Sequence, residues 1–369
     1  MGEIRVKLRK NTDDSYEIFI GKGISKKLPG IISKKFGKMK IAIITDSVVG
    51  KIYGKKLLSA FRKAGFDCCI VSFSAGEKNK RLATVEKLQE QMLANGINRH
   101  SLAVILGGGV AGDMGAFAAA TYMRGIDFVH VPTTLLAMVD SSIGGKTGVD
   151  LPSGKNLSGT FIQPALVVMD IDFLKTLPEK EFSNGMAEVI KYGVIADAKF
   201  FSYIERSKVK LKKRDVKALG EIIQKSCSIK ARVIEKDEKE GNLRKILNYG
   251  HTTGHAIEAA GNYSRYSHGG AIAIGMNAEA IISNKLGGMK AHEIGRQREL
   301  FGYFGLPVKM PKVNAKRLMQ MMLKDKKSEN NEFVFALPSG IGRMMRKGNS
   351  FGITVKAGIV SSALREAGK

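Results

Sequence analysis

Three histidines stand close together in the sequence between Leu243 and Met276. His251 and His255 are four residues apart, so both lie on one face if this segment is a helix. His268 follows after a loop rich in Gly, Asn, Ser and Tyr. Imidazoles that converge beside a carboxylate form a site for a divalent metal. On this segment alone, the alternative of one capping histidine and two surface histidines stays open.

A carboxylate that would complete this set lies earlier in the chain, in the segment GMAEVIKYG. Glu188 and Lys191 are three residues apart and share one face of a predicted helix, where they would ordinarily form a surface ion pair. Beside His251 and His268, however, Glu188 gives two histidines and one glutamate, the composition of an open catalytic zinc site. The same ligands suit zinc and cobalt alike.

A glycine-rich turn follows an apolar run at residues 102–106. Gly107, Gly109 and Gly112 fit the spacing GxGxxG, and small residues then open a predicted helix. Glycines let the backbone approach a pyrophosphate, which the N-terminus of the helix stabilises. The order of strand, turn and helix therefore favours dinucleotide binding over a simple tight turn.

Residues 140–155, DSSIGGKTGVDLPSGK, form a second segment whose polar side chains could bind a ligand. They are too rich in Gly, Ser and Lys to be a core element, and Asn156 follows directly. Lysines among glycines and hydroxyls predict a loop that wraps a phosphate or a carboxylate. A mobile surface loop is disfavoured because the segment lies between apolar strands.

The elements that must position these residues change type near residue 178. Before it, apolar runs alternate with helical patterns, which predicts a parallel sheet with polar residues such as Asp46, Thr133 and Thr134 at the carboxyl ends of its strands. Residues 1–30 alternate apolar residues around a glycine turn and predict antiparallel strands. After residue 178 the pattern predicts helices alone. The expected fold is a Rossmann-like α/β domain over residues 1–177 and an all-α domain over residues 178–369.

Composition restricts the class of protein. The 369 residues are 44% hydrophobic, and Lys and Arg number 60 against 34 Asp and Glu, a formal net charge of +26. The basic residues are scattered and accompany no nucleic-acid module, so a surface that attracts anionic small substrates is favoured over nucleic-acid binding. No apolar run is long enough to span a bilayer, and no N-terminal signal is apparent. Three cysteines form no disulfide framework, and a cytoplasmic protein is expected.

The motifs occur in one order along the chain. They are Asp46, GEK, GGGVxGD, PTTLL, DSSIGGKTGVD, GKN, FLKTLP, MAEVIKYG, LNYGH and SHG. Together they resemble the 3-dehydroquinate synthase family of sugar phosphate cyclases over residues 40–335. The resemblance implies conversion of 3-deoxy-D-arabino-heptulosonate 7-phosphate to 3-dehydroquinate and phosphate in the shikimate pathway, with NAD and one divalent metal, zinc or cobalt.

The resemblance also implies roles for individual residues. The implied metal ligands are Glu188, His251 and His268. The implied NAD contacts are Asp46, Glu77, Lys80, Gly109, Val110, Ala111, Gly112, Asp113, Thr133, Thr134, Lys146, Lys155, Phe173 and Thr176. The implied substrate and catalytic residues are Arg124, Asp140, Lys146, Asn156, Lys191, Lys230, Arg244, Asn248, His255 and Lys327. A substrate with a phosphate and a carboxylate needs such cations. The residue matching Arg124 reaches in from the neighbouring subunit in this family, which implies a homodimer.

The sequence departs from the family pattern at three positions. Gly270 replaces the glutamate of the usual HGE, and we expect its loss to remove a carboxylate that supports the metal ligands. Val48 replaces a more usual Asn, and Ser158 stands where an apolar residue is common. None of these changes removes an implied ligand. The alternatives are another sugar phosphate cyclase, or a metal-dependent polyol dehydrogenase that would release NADH stoichiometrically.

Overall fold

The computed structural model describes residues 13–261, 263, 265–312, 314–324 and 332–369. The strands are β1 (Glu17–Gly21), β2 (Ile41–Asp46), β3 (Cys68–Phe73), β4 (Leu102–Gly107), β5 (Phe128–Pro132), β6 (Lys146–Leu151), β7 (Gly154–Phe161), β8 (Leu166–Asp170), β9 (Phe333–Phe335), β10 (Pro338–Gly340), β11 (Arg343–Met344) and β12 (Ile353–Val355). The α-helices are α1 (Leu28–Phe36), α2 (Ser47–Val49), α3 (Lys55–Lys63), α4 (Leu82–Ala94), α5 (Gly109–Thr121), α6 (Glu179–Ala196), α7 (Ala198–Lys212), α8 (Val216–Lys236), α9 (His251–Ala260), α10 (His268–Lys285), α11 (Ala291–Tyr303), α12 (Ala315–Lys324) and α13 (Ala357–Glu366).

The first half of the chain forms a six-stranded sheet with the order β1-β8-β5-β4-β2-β3. All of its strand pairs are parallel. Strands β4, β5 and β8 are buried along their whole length, as expected for central strands covered by helices on both faces. Because parallel strands end at one edge, Asp46, Gly107 and Pro132 meet there. The predicted parallel α/β architecture is confirmed.

One prediction about the direction of the strands in the first half is wrong. Strand β1 is not part of an antiparallel pair in the described region, because it pairs in parallel with β8, with Ile18 opposite Val167; residues 1–12 lie outside the described part. Alternating apolar residues report a half-buried face but not the direction of the neighbouring strand. Helix α2 begins at Ser47, which Asp46 caps, and the chain passes through a π-helical turn at Gly50–Gly54 before α3.

The segment predicted as a loop at residues 140–155 is mostly a hairpin. Strands β6 and β7 pair antiparallel, with Lys146 opposite Phe161 and Gly148 opposite Gly159. A side chain at Gly159 would lie 2.8 Å from Gly148 Cα, so glycines allow the two backbones to approach here. Because β7 is largely exposed, the hairpin has no alternating apolar pattern, and its strands were therefore not predicted.

The second half is built around two buried helices. Helix α6 is buried from Phe182 to Ile195, and α10 is buried from Gly269 to Ser283. Helix α8 carries Lys230 among its buried residues. Four short strands, β9 to β12, form two antiparallel pairs and correct the prediction of helices alone. Within the described residues, no helix has both the length and the apolar character needed to cross a membrane.

Helices α9 and α10 approach each other through glycines. Gly250, at φ +82°, precedes α9, and a Cβ there would lie 2.8 Å from Ile272 O. A Cβ on Gly254 would lie 3.0 Å from Ile272 Cα, and one on Gly275 would lie 2.8 Å from Gly254 N. This contact sets the distance between the first residues of α9 and α10, which are His251 and His268.

Gly275→Ala is expected to lower the free energy of unfolding by about 2 kcal/mol or more, because the new methyl group collides with the backbone of α9. Gly295→Ala in α11 is the matched control, since a Cβ there meets nothing within 4 Å. That control should gain about 0.5–1 kcal/mol from helix propensity. Urea unfolding of both variants measures the difference, and equal stabilities would contradict a backbone contact at Gly275.

Candidate active site

Three side chains from three helices meet at one point. They are Glu188 of α6, His251 at the start of α9 and His268 at the start of α10, and one potential ligand atom of each lies within 4.8 Å of the others. His251 Nε2 and His268 Nε2 lie 3.5 and 3.6 Å from the same Oε1 atom of Glu188. A divalent metal bound at about 2.0–2.2 Å from each ligand bridges such a spacing.

The surroundings of Glu188 fit a cation. This carboxylate is fully buried, and its Oε1 atom accepts no hydrogen bond from the described residues. Lys191 Nζ lies 2.5 Å from Oε2, which leaves Oε1 facing the two imidazoles. Because a buried carboxylate is costly unless it is compensated, this arrangement calls for a further positive charge beside Oε1. The donor set therefore fits a divalent metal.

Both histidines are oriented through their second ring nitrogen. His251 Nδ1 lies 3.2 Å from Tyr249 O, and His268 Nδ1 lies 3.4 Å from Glu258 Oε2. These contacts leave Nε2 of each ring for the metal. Glu258 is 3% exposed and was missed by the sequence reasoning. Its position seven residues after His251 places it on the same face of α9, a signal that identifies it in retrospect.

A second overlooked carboxylate fixes α9 as a whole. Glu279 of α10 is fully buried and accepts hydrogen bonds from Gly250 N at 2.6 Å and Thr253 N at 3.1 Å. A negative charge at the N-terminus of a helix is favourable because it offsets the helix dipole and satisfies free N–H groups. Glu279 therefore holds the end of α9 that carries His251.

We expect metal binding at this site to weaken as the pH falls. Burial lowers the pKa of His268, but Glu188 and Glu258 outweigh burial and raise this pKa to about 10. Below that pH the metal must displace a proton from His268, so the apparent affinity should fall about tenfold for each pH unit. Competition of Zn²⁺ or Co²⁺ with a chelator between about pH 6.5 and about pH 8.5 measures it. An affinity that stays constant over this range would contradict the prediction.

His255 lies beside the three candidate ligands. Its ring centroid is 5.4 Å from that of His251 and 6.4 Å from that of His268. It is not part of the group of three potential ligands. The helical spacing placed His255 near the site but did not distinguish a ligand from a neighbour.

A cluster of buried charges lies next to the metal site. Lys230 Nζ donates hydrogen bonds to Asp140 Oδ1 at 2.6 Å and to the backbone oxygen of Asp140 at 2.7 Å. Tyr192 donates from its hydroxyl to the same Oδ1 atom at 2.7 Å. Lys191 Nζ contacts Glu188 and donates to Leu247 O at 2.9 Å, and its charge also lowers the pKa of Asp140, so Lys191 acts on both the metal site and this cluster.

Positive charge dominates this cluster. Burial would raise the pKa of Asp140, but Lys230 and Lys191 hold it well below its usual range. Burial lowers the pKa of Lys230 and, with repulsion from Lys191 and Arg244, outweighs the attraction of Asp140. Arg244 is 2% exposed and donates to Gly144 O at 3.1 Å. A buried group of cations that exceeds its carboxylates is suited to bind an anionic substrate.

Lys146 and Asn248, two candidate substrate residues, meet at a glutamate that the sequence reasoning missed. Lys146 Nζ lies 2.5 Å from Glu240 Oε2, and Asn248 Nδ2 donates to Glu240 Oε1 at 2.7 Å. Glu240 adopts a positive φ of 63°. Glu240 belongs to the run KDEKEGNLRK, and a glutamate among so many charged residues is not distinguishable by sequence from a solvated one. The Glu240 carboxylate therefore contacts the ammonium of Lys146 and the amide of Asn248, two groups that are suited to bind a substrate anion.

The glycine-rich turn lies at the carboxyl edge of the sheet. Helix α5 begins at Gly109, and residues 109–113 (Gly109, Val110, Ala111, Gly112 and Asp113) form its first turns. A Cβ on Gly108 would lie 3.0 Å from Thr134 Cγ2, so the turn packs closely on the next loop. Thr133 N donates to Gly107 O at 2.9 Å. Free N–H groups at the start of α5 are suited to a pyrophosphate.

Charged residues surround this turn. Lys80 is 4% exposed, and its Nζ lies 2.5 Å from both Asp113 Oδ2 and Asn156 Oδ1. Lys155 Nζ lies 3.2 Å from Glu77 Oε1. Burial lowers the pKa of Lys80, but Asp113 and Glu77 outweigh it and raise the pKa. The structure therefore brings together the candidate residues of the Lys80 loop, α5 and the hairpin.

The remaining candidates lie around the edge of this region or outside it. The Phe173 ring packs against the Tyr53 ring at a tilt of 51° with centroids 4.5 Å apart, and Thr176 hydrogen bonds to the Tyr53 hydroxyl. Asp46 Oδ1 already accepts from Val48 N at 2.8 Å. Arg124 is exposed at φ 71°, and in the described part of the chain no hydrogen bond or ion pair joins it to the other candidates. Lys327 lies outside the described residues.

Gly270 carries no carboxylate, and a different residue provides the carboxylate beside His268. A Cβ on Gly270 would face Ser267 Oγ at 3.1 Å and Pro307 at 3.5 Å. Glu258 supplies the carboxylate that contacts His268. Val48 is 54% exposed and contributes its N–H to Asp46, which any residue type can do. Ser158 lies in the exposed hairpin strand β7, opposite Val149.

Family comparisons cover most of the chain. The model for the 3-dehydroquinate synthase N-terminal region matches residues 70–184, and the model for the C-terminal region matches residues 185–328. A 3-dehydroquinate synthase of Geobacter metallireducens is 46% identical over 333 residues, which cover 89% of this chain and 92% of that protein.

Solved structures of related cyclases share the fold. ValA, a 2-epi-5-epi-valiolone synthase from Streptomyces hygroscopicus solved with NAD⁺ and Zn²⁺, is 26% identical, with a TM-score of 0.88 and coverage of 98% of this chain and 99% of that chain. A 2-deoxy-scyllo-inosose synthase solved with carbaglucose-6-phosphate, NAD⁺ and Co²⁺ is 29% identical, with a TM-score of 0.83 and coverage of 95% and 96%. From the two matching family models and this identity over nearly its full length, the chain belongs to the 3-dehydroquinate synthase family.

Proposed function

We propose that this protein is an NAD- and metal-dependent lyase that converts 3-deoxy-D-arabino-heptulosonate 7-phosphate to 3-dehydroquinate and phosphate. The observation that carries the proposal is the position of Lys191, which contacts the candidate metal ligand Glu188 at 2.5 Å and lies beside the cationic cluster around Lys230. A metal site for an alcohol thus adjoins a site for anions. Identity of 46% to a 3-dehydroquinate synthase supports this reaction over that of another cyclase or a polyol dehydrogenase.

The cofactors follow from the two sites. Glu188, His251 and His268 would hold one divalent metal, zinc or cobalt, and the start of α5 with Asp46, Lys80 and Lys155 would hold NAD. When bound, the metal acidifies a secondary alcohol and NAD accepts and returns a hydride, which lets phosphate be eliminated and the ring close with no net oxidation.

The side chains of this protein would bind and orient the substrate. Lys146, Lys230, Arg244 and Asn248 would hold its phosphate and carboxylate through charge-assisted hydrogen bonds. Asp140 fixes Lys230 in place through the bond of 2.6 Å. His255 and Asn248, beside the leaving phosphate, would assist proton transfer, with the phosphate itself as a further base.

We propose a division into an NAD-binding domain of residues 1–177 and a metal- and substrate-binding domain of residues 178–369. We also propose a homodimer in the cytoplasm that serves the shikimate pathway and hence aromatic amino acid biosynthesis. In this assembly the exposed Arg124 of one subunit would reach the substrate of the other.

A mixture of two inactive variants tests this sharing of the site. Arg124→Ala and His268→Ala are each expected to be inactive, but a heterodimer of the two contains one complete site. Coexpression should therefore restore about a quarter of wild-type activity if subunits pair at random. The separate homodimers are the control, and a mixture that stays inactive would place Arg124 outside the neighbouring site.

The reaction itself is tested with purified protein and 3-deoxy-D-arabino-heptulosonate 7-phosphate. Phosphate release and NADH absorbance are recorded together, with and without a chelator. Phosphate released without net NADH, and stopped by the chelator, is the expected result. Net NADH formation would indicate a dehydrogenase, and no phosphate release by protein loaded with metal and NAD would indicate another substrate.

A further inference from the structure

One carboxylate of the protein faces both the metal site and the NAD site. Glu258 of α9 is 3% exposed, and its two oxygens have different partners. Oε2 lies 3.4 Å from His268 Nδ1, and Oε1 lies 3.3 Å from Lys155 Nζ. His268 begins α10, whereas Lys155 belongs to the hairpin strand β7 of the other half of the chain.

We propose that Glu258 is a positioning residue that couples the metal centre to the NAD site, so that each cofactor strengthens the binding of the other. This inference rests on the proposed function, because it takes the two sites to hold a metal and NAD. It adds a specific route between them: His268, Glu258 and Lys155.

The first step of this route is the contact of Lys155 with two alternative carboxylates. Lys155 Nζ contacts two carboxylates, Glu258 at 3.3 Å and Glu77 at 3.2 Å. Glu77 is 37% exposed and thus a weakly fixed partner, whereas Glu258 is enclosed by protein. The position of Lys155 therefore depends on whether Glu258 is held in place.

The metal decides how firmly Glu258 is held. A metal on His268 Nε2 leaves Nδ1–H as the free donor of that ring and directs it at Glu258. With the ring fixed, Glu258 keeps Lys155 at the NAD site before NAD arrives, which removes part of the ordering cost of NAD binding. Without the metal, the His268 ring is held only by its contacts with Glu188 at 3.6 Å and Glu258 at 3.4 Å, which fix it less firmly than a coordinate bond, so Glu258 and Lys155 are less ordered. By thermodynamic linkage, NAD must then strengthen metal binding by the same factor.

Calorimetric titration of NAD into metal-free and Zn²⁺-loaded protein tests this coupling. In wild-type protein the Kd for NAD should be about fivefold lower with Zn²⁺ bound, within the usual range of couplings between sites. The ratio of the two Kd values should fall to about one in Glu258→Gln and in Lys155→Met. Lys155→Met also weakens NAD binding directly. Because this direct loss is the same with and without the metal, it cancels in the ratio of the two Kd values.

Two controls separate positioning from damage to the fold. Glu77→Gln removes the other carboxylate of Lys155 and should keep the ratio near its wild-type value, and Lys155→Arg should restore most of it. The visible spectrum of the Co²⁺-loaded Lys155→Met protein should match that of the wild type, because its metal ligands are unchanged.

Several results would overturn the inference. A ratio of one in the wild-type protein would exclude coupling. A ratio that keeps its wild-type value in Glu258→Gln and Lys155→Met would show that the coupling does not depend on these two residues. The reaction assay is read separately: phosphate release with a ratio of one would refute only the coupling. Coupling without phosphate release would refute only the proposed reaction.

Discussion

His268→Ala is expected to lower kcat by about 10³-fold or more while NAD binding weakens by less than about tenfold. The variant removes one of the two imidazoles that face Glu188 Oε1, so the metal loses a ligand. Loss of about 4 kcal/mol of stabilisation of the developing alkoxide corresponds to a factor of about 10³. The glycine-rich turn that is suited to NAD lies on another element, α5, and is unchanged. Steady-state kinetics, bound metal and the Kd for NAD measure these effects.

His292→Ala is the matched control for this variant. His292 is exposed on α11 and is not part of the group of potential metal ligands. The control should keep its metal and its rate within about twofold of the wild type, as is usual for surface substitutions. A His268→Ala protein with wild-type activity would remove His268 from the ligand set.

The sequence predicted the elements that carry strong local signals. The apolar runs at β2, β4, β5 and β8 read correctly as buried parallel strands, because a strand covered on both faces needs continuous apolar residues. The pairing of β1 with β8 was not predictable in this way, since the partners are far apart in sequence and the local pattern carries no direction.

Local sequence patterns also identified only some of the side chains in the candidate site. The types and order of Glu188, His251 and His268 pointed to one site, and the structure brings their potential ligand atoms within 4.8 Å. Glu258 and Glu240 were missed because a glutamate in a helix or in a charged run resembles any solvated residue. Only their burial and partners, which are tertiary properties, distinguish them.

Breaking the pair of Asp140 and Lys230, whose side chains are 24% and 7% exposed, is expected to lower the free energy of unfolding by about 3 kcal/mol in Lys230→Met, the low end of the range for a buried pair because Asp140 is partly exposed. The substitution leaves the Asp140 carboxylate with Tyr192 as its remaining hydrogen-bond donor among the described residues. Asp140→Asn should cost less, because Lys230 keeps the backbone oxygen of Asp140 at 2.7 Å. The double variant should cost less than the sum, since neither charge is then left alone. Urea unfolding of the three proteins measures this cycle.

The same variant is expected to lower kcat/KM by about 10²-fold, the effect of removing one preorganised donor from a buried site. Lys225→Met on the same helix is the matched control, because Lys225 is 45% exposed and pairs with Asp197 at 2.9 Å. An exposed pair contributes less than about 1 kcal/mol, so the control should keep both its stability and its kcat/KM. If Lys230→Met loses stability but retains its kcat/KM, the pair supports the fold alone and the substrate anion binds elsewhere. If both fall together, and only in this variant, the cationic cluster serves the reaction.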